Sequence, residues 1–267
     1  MNTLVLRANK WLSKSLIVYS ALKEQTVSQN EPEAYWDHAG EVSYAEKMFA
    51  SSTVERYVNR RLWQKGIEIG QQMGLTKDSH ILDLGCGDGA LANMLLAKHY
   101  RAIDGFDLAP AAIKRAQSQA ANANMRFTAC DITKMDYAAL PQYDGAYLWG
   151  ILHHVKSATP SILEGLRKVT KRIVILEPNG NNVMRKLLEH TASYKAAGED
   201  SFRTKEMEKL FANAGFRVAT WKRLNLFPNF TPTAIFNILK PFEPFIEKTP
   251  VLRALCTVNL WGFVANE

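Results

Sequence analysis

Residues 81–92 read ILDLGCGDGALA, and this short stretch restricts the possible folds more than any other part of the chain. An apolar run broken only by Asp83 meets glycines at 85, 87 and 89, and an alanine- and leucine-bearing run follows at once. Glycine tolerates backbone conformations closed to other residues, so a buried strand here must end in a tight turn and feed directly into a helix. Strand, glycine turn and helix in that order form the opening unit of an alternately wound α/β sheet. Further strands are expected at 101–107 (RAIDGFD), 125–130 (MRFTAC), 144–149 (DGAYLW) and 172–177 (RIVILE), with helical stretches between them. The fold class is therefore α/β, a doubly wound and mostly parallel sheet.

Downstream, helices are expected near 182–190 and at 204–213, the second entered at Ser201 or Thr204 and closed by Gly215. A strand near 216–223 follows, and the β-branched and aromatic content of 257–267 suits a closing strand. Between them, 224–256 carries five prolines among Phe, Leu and Ile, which should break it into short helices and turns. We read it as a helical insertion covering an acceptor pocket. Residues 31–76 show apolar positions at helical spacing, and 1–78 is expected to be a helical segment that serves as a lid and contributes to the acceptor site, ahead of a core domain at 79–267. The first 25 residues are too interrupted by Arg7, Lys10 and Lys14 for a membrane span and suit an amphipathic helix, which leaves room for peripheral membrane contact.

The 267 residues are 47% hydrophobic, enough for a substantial core and incompatible with a disordered chain. A net charge of +7 is spread as +1 over 1–80, +2 over 81–180 and +4 over 181–267, with no basic arm, so a nucleic-acid partner is not expected. Three cysteines without a CxxC pair point to a reduced, cytoplasmic protein, and no metal-binding cluster accompanies the histidines.

Asp107 lies 22 residues after Gly85 at the end of the next strand, where its carboxylate could receive both hydroxyls of a ribose. The glycine spacing is GxGxG and not GxGxxG, which disfavours a pyrophosphate cradle. With Asp83 at the strand end, the arrangement resembles the class I S-adenosylmethionine-dependent methyltransferases of the small-molecule type. That resemblance implies a seven-stranded Rossmann-like sheet, with S-adenosylmethionine as cofactor and S-adenosylhomocysteine as product. It places Gly85, Cys86, Gly87 and Gly89 beside the aminoacyl part of the cofactor, with Asp83 at its amino end. Asp107 falls on the ribose-binding acid, Leu108 against adenine, Asp131 on the adenine amino group and Ile132 over the base, with Trp149 near the methionine portion.

A methyl group on a sulfonium already has a good leaving group, so the chain must align a nucleophile and exclude water. An oxygen acceptor also needs a base, for which His153, His154 and Glu177 are the candidates. Asn179, Asn181 and Asn182 could orient a polar acceptor, and Tyr35, Tyr44 or Arg60 could add contacts from the N-terminal part. No N/D-P-P-Y/F motif for nucleic-acid amines is present. The expected activity is metal-independent methyl transfer to a small-molecule acceptor, most readily an oxygen on a partly apolar metabolite or a glycan- or lipid-related compound. An RNA or protein methyltransferase, and a non-catalytic S-adenosylmethionine-binding regulator, are the alternatives.

Overall fold

The computed structural model describes residues 51–191 and 199–267. It contains one seven-stranded sheet in the order β3-β2-β1-β4-β5-β7-β6. The strands are β1 (His80–Leu84), β2 (Ala102–Asp107), β3 (Met125–Ala129), β4 (Gly145–Trp149), β5 (Arg172–Pro178), β6 (Phe216–Leu224) and β7 (Val258–Ala265). Every strand expected from the sequence is present, and β1 to β5 run parallel. β7 inserts between β5 and β6 antiparallel to both.

Helices cover both faces. α1 (Ser52–Gln72), α2 (90–99) and α3 (Pro110–Ser118) lie over one, and α4 (Thr159–Val169) and α6 (Thr204–Asn213) over the other. Side chains alternate between the two layers along each strand, so Ile81 and Val174 join the first core and Leu82, Ile173 and Ile175 the second. That double burial explains why the strands read as nearly continuous apolar runs. Past the glycine turn, α2 takes π geometry over Ala92–Leu96, and α3 begins with Pro110 in its first turn. α5 (Val183–Glu189) starts at Asn182, whose side chain accepts from Arg185 N–H.

The 224–256 insertion consists of α7 (Thr233–Leu239), α8 (Glu243–Lys248) and single 3₁₀ turns, as its prolines require. Its inner side docks on α1, where Phe236 packs edge-on against Tyr57 with ring centroids 5.1 Å apart. The N-terminal amphipathic stretch, Tyr35 and Tyr44 lie outside the described residues, whereas Arg60 is an exposed residue of α1.

α1 approaches the sheet closely because two of its residues lack a Cβ. A Cβ at Gly70 would lie 2.4 Å from Tyr147 Oη and 2.7 Å from Tyr100 Oη, two hydroxyls hydrogen-bonded to each other at 2.6 Å. Gly70→Ala is expected to destabilise the protein by about 1–3 kcal/mol through overpacking of this buried pair, read as a lower urea midpoint with an unchanged m-value.

Candidate active site

The strand order reverses between β1 and β4, and open α/β sheets bind ligands at the carboxyl ends of the strands flanking such a point. Three turns converge there: the glycine turn after β1, the 107–109 turn after β2 and the 150–154 turn after β4. Gly85, Gly87 and Gly89 all have positive φ, at 75°, 55° and 74°. A Cβ at Gly85 would sit 2.6 Å from Ile151 Cγ1, so this glycine also lets the β1 and β4 turns touch.

Asp83 is the unusual group. Its side chain is buried in β1, and both carboxylate oxygens lack a hydrogen-bond partner among the described residues. Burial, with a smaller push from Asp107, raises its carboxyl to about 7. An acid left in this condition costs stability unless something positive meets it. Asp107, at the end of β2, accepts Gly87 N–H at 2.8 Å and Ala109 N–H at 3.0 Å, which fixes its orientation. Burial lifts its carboxyl while these N–H groups oppose the rise. Its two oxygens keep further lone pairs for a ligand.

The other expected cofactor residues fall around the same edge. Leu108 is half-buried, Cys86 buried and Ile132 buried, and Trp149 packs beside Gly66 of α1. Asp131 is engaged locally, accepting Thr133 N–H and Oγ1–H and pairing with Lys134 Nζ at 2.9 Å. Burial pushes up the thiols of Cys86, Cys130 and Cys256, the last to about 12, so none is activated as a nucleophile.

Glu177, at the end of β5, is fully buried and satisfied. It accepts Ile151 N–H at 3.0 Å and Leu152 N–H at 2.8 Å with one oxygen, and holds His153 Nδ1 at 2.6 Å with the other. His153 Nε2 meets Glu199 at 3.2 Å, and Arg185 pairs with the same Glu199 oxygen. Burial alone would lower the imidazole, but Glu177 and then Glu199 outweigh it and raise His153 from 6.5 to about 9. It is therefore an imidazolium at neutral pH, clamped between two carboxylates.

His154 is half-buried, its ring centroid 4.0 Å from that of His153. Both rings line an open cleft of about 580 Å³ together with Lys156, Asp200, Phe202 and Glu206. The three asparagines turn to the backbone. Asn179 Nδ2 donates to Cys256 O, Asn181 Oδ1 accepts Thr204 N–H, and Asn182 caps α5.

Sequence reasoning missed Glu199, which stands 46 residues from His153 in no motif. Ligand atoms of His153, His154 and Glu199 come within 4.8 Å of one another, a grouping compatible in composition with a metal. However, Arg185 and the His153 imidazolium already neutralise Glu199, so its charge needs no metal to balance it.

Comparison with known proteins is consistent with this geometry. A family model described as a methyltransferase domain matches residues 81–172, from β1 through the start of β5. Residues 81–172 thus match a methyltransferase domain, and the sheet has the fold of solved S-adenosylmethionine-dependent methyltransferases. Magnesium protoporphyrin IX methyltransferase from Synechocystis PCC 6803, solved with bound S-adenosylhomocysteine, superposes with a TM-score of 0.59 at 15% identity, over 88% of this chain and 98% of that one. An S-adenosylmethionine-dependent methyltransferase from Mesorhizobium loti gives 0.55 at 15% identity, over 76% and 96%. The [4+2]-cyclase SpnF gives 0.64 at 12%, over 90% and 96%, so the fold also serves a different reaction. No curated protein matches the sequence.

The clamp gives this protein a characteristic pH response. A group whose folded pKa is raised contributes stability in full below its unfolded value and loses it as pH climbs through the folded one. His153 should therefore support the fold below about pH 6.5, with its contribution fading toward about pH 9. Urea midpoints measured across that window should decline in the wild type, and His153→Gln should remove most of the slope.

Proposed function

We propose that the chain transfers a methyl group from S-adenosylmethionine to an oxygen of a small, partly apolar acceptor, with His154 taking the proton. The observation that carries the cofactor part is the buried, unpartnered Asp83 carboxylate beneath a turn of positive-φ glycines. The cationic amino end of S-adenosylmethionine supplies the positive partner this acid lacks. Asp107 would hold the ribose hydroxyls, Leu108 and Ile132 the adenine faces and Asp131 the adenine amino group. Gly85, Cys86, Gly87 and Gly89 would line the aminoacyl part and Trp149 the methionine side. When bound, the cofactor supplies an activated methyl group on a sulfonium.

The roles of the three candidate bases follow from their surroundings. Glu177 has both oxygens committed inside the protein, and His153 has both ring nitrogens on carboxylates. Both are engaged inside the protein rather than offered to an acceptor. We assign them to positioning: together they fix the 150–154 turn and therefore where His154 stands. His154 lines the cleft, and we assign it the approach to an acceptor hydroxyl. The cleft's Lys156, Asp200 and Glu206 suit a polar acceptor end, and Phe202 an apolar one. In this reading the N-terminal segment, residues 1–78, and the 224–256 insertion complete the acceptor side.

Two measurements test the reading. Calorimetric titration with S-adenosylhomocysteine should show affinity rising with pH up to about 7, as Asp83 ionises, and then levelling. Asp83→Asn should abolish that rise, and Asp107→Asn should weaken binding; unchanged affinity in both would remove the cofactor assignment. Once acceptor profiling identifies a substrate, His154→Gln should lower kcat by roughly 10²–10⁴-fold with little change in cofactor affinity. Full activity in that variant, with loss in His153→Gln and a rate rising toward pH 9, would transfer the base role to His153.

A further inference from the structure

Near the carboxyl end of β6, two arginine side chains are gathered on one indole. The guanidinium carbon of Arg223 lies 5.2 Å from the Trp221 ring centroid, and that of Arg253, from the 3₁₀ turn Leu252–Leu255, lies 5.3 Å from it. All three residues are half-buried. Among the described residues neither arginine pairs with a carboxylate, whereas Arg61, Arg185, Lys156 and Lys186, on the elements around this end of the sheet, each hold at least one. Burial and then the charge of Arg253 lower the Arg223 guanidinium from its ordinary value, so the two cations repel each other. The ring face attracts each of them but neutralises neither.

Asn259 of β7, a fully buried side chain, holds this arrangement in place. Its Oδ1 accepts both Trp221 Nε1–H and Arg223 Nε–H, each at 3.2 Å, and its Nδ2 donates to Asn179 Oδ1 at 3.2 Å in the loop after β5. Thr204, the first residue of α6, holds Arg223 from a second direction. Its Oγ1 accepts Arg223 Nη2–H at 3.1 Å and donates to Asn181 Oδ1 at 2.8 Å. Arg223 is thus fixed by neutral acceptors that leave its charge uncompensated and most of its N–H donors available. Two of the asparagines expected to orient an acceptor directly instead brace the residues that position this guanidinium.

We propose that Arg223, Arg253 and Trp221 form a subsite for a phosphate group carried by the acceptor, with the body of that molecule against the indole. One bidentate guanidinium saturates a carboxylate, whereas a phosphate ester has three strong acceptor oxygens and close to two charges to share between two guanidiniums. Thr204 ties the subsite to the open cleft, whose lining includes Phe202 and Glu206 on either side of it in the chain. The subsite rests on the methyl-transfer reading for its purpose and on its own residues for its chemistry: it binds phosphate whether or not the bound molecule is then methylated.

Calorimetric titration of the full chain with phenyl phosphate, inorganic phosphate and benzoate, with and without S-adenosylhomocysteine, tests it. Phenyl phosphate is expected to bind saturably, to bind more tightly than either of the others, and to weaken with salt. Arg223→Gln and Arg253→Gln should each weaken it by about tenfold, whereas Lys222→Gln, on the opposite face of β6, should leave it unchanged. Among the described residues the Arg253 side chain makes no hydrogen bond, so Arg253→Gln reports on the subsite even where Arg223→Gln does not fold. Absence of saturable binding, binding untouched by Arg253→Gln, or an equal loss in Lys222→Gln overturns the subsite. So does benzoate or inorganic phosphate binding as tightly as phenyl phosphate, since the site would then select neither a phosphate group nor the body that carries it. In each of these cases retained S-adenosylhomocysteine binding leaves the cofactor reading in place, and its loss with the phosphate result intact removes that reading alone.

Discussion

A carboxylate buried in protein must find positive charge or donors, and the candidate site of this protein is organised by how two such groups meet that demand. Glu177 is satisfied from within, by two backbone N–H groups and an imidazolium. It ties the end of β5 to the turn after β4 and fixes where His153 and His154 stand. Asp83, two strands away in the sheet order, is satisfied by nothing in the described protein. The first acid is part of the scaffold, and the second marks where a cationic ligand is needed.

The sheet makes this division possible. Parallel strands end at one edge, and the reversal between β1 and β4 lets the turns that follow them approach without collision. Close contact between the two turns depends on Gly85, since any side chain there would occupy the space of Ile151. On the same face of the sheet, α1 packs tightly over Tyr147 and Trp149 because Gly66 and Gly70 present no Cβ to them. Arg61 and Tyr57 of that helix then anchor the inner side of the insertion through Glu243 and Glu247, while Phe242 and Phe245 stay exposed.

Much of this was legible in the sequence. The central strands could be read because a sheet covered on both faces demands continuous apolar runs, and the glycine turn because its three positions require positive φ. Helix 204–213 was equally clear from its flanking threonine and glycine. His153 and Glu177 could be named as chemically capable residues, but not distinguished from His154, because a role as base depends on what occupies each nitrogen or oxygen. Glu199 carried no local signal at all: it meets His153 and Arg185 only after α5 has folded back toward the turn following β4.

The sequence by itself therefore determined the wound sheet, the cofactor-type turn and the acids at its edge, because these rest on periodicity and on spacing within single strand–turn–helix units. Only the tertiary structure decided which acid is spent on the scaffold and which is left for a ligand, that His153 is held as an imidazolium, and which side of the insertion faces out. Those outcomes depend on desolvation and on partners far apart in the chain, and both are properties of packing, which no local pattern of residues encodes.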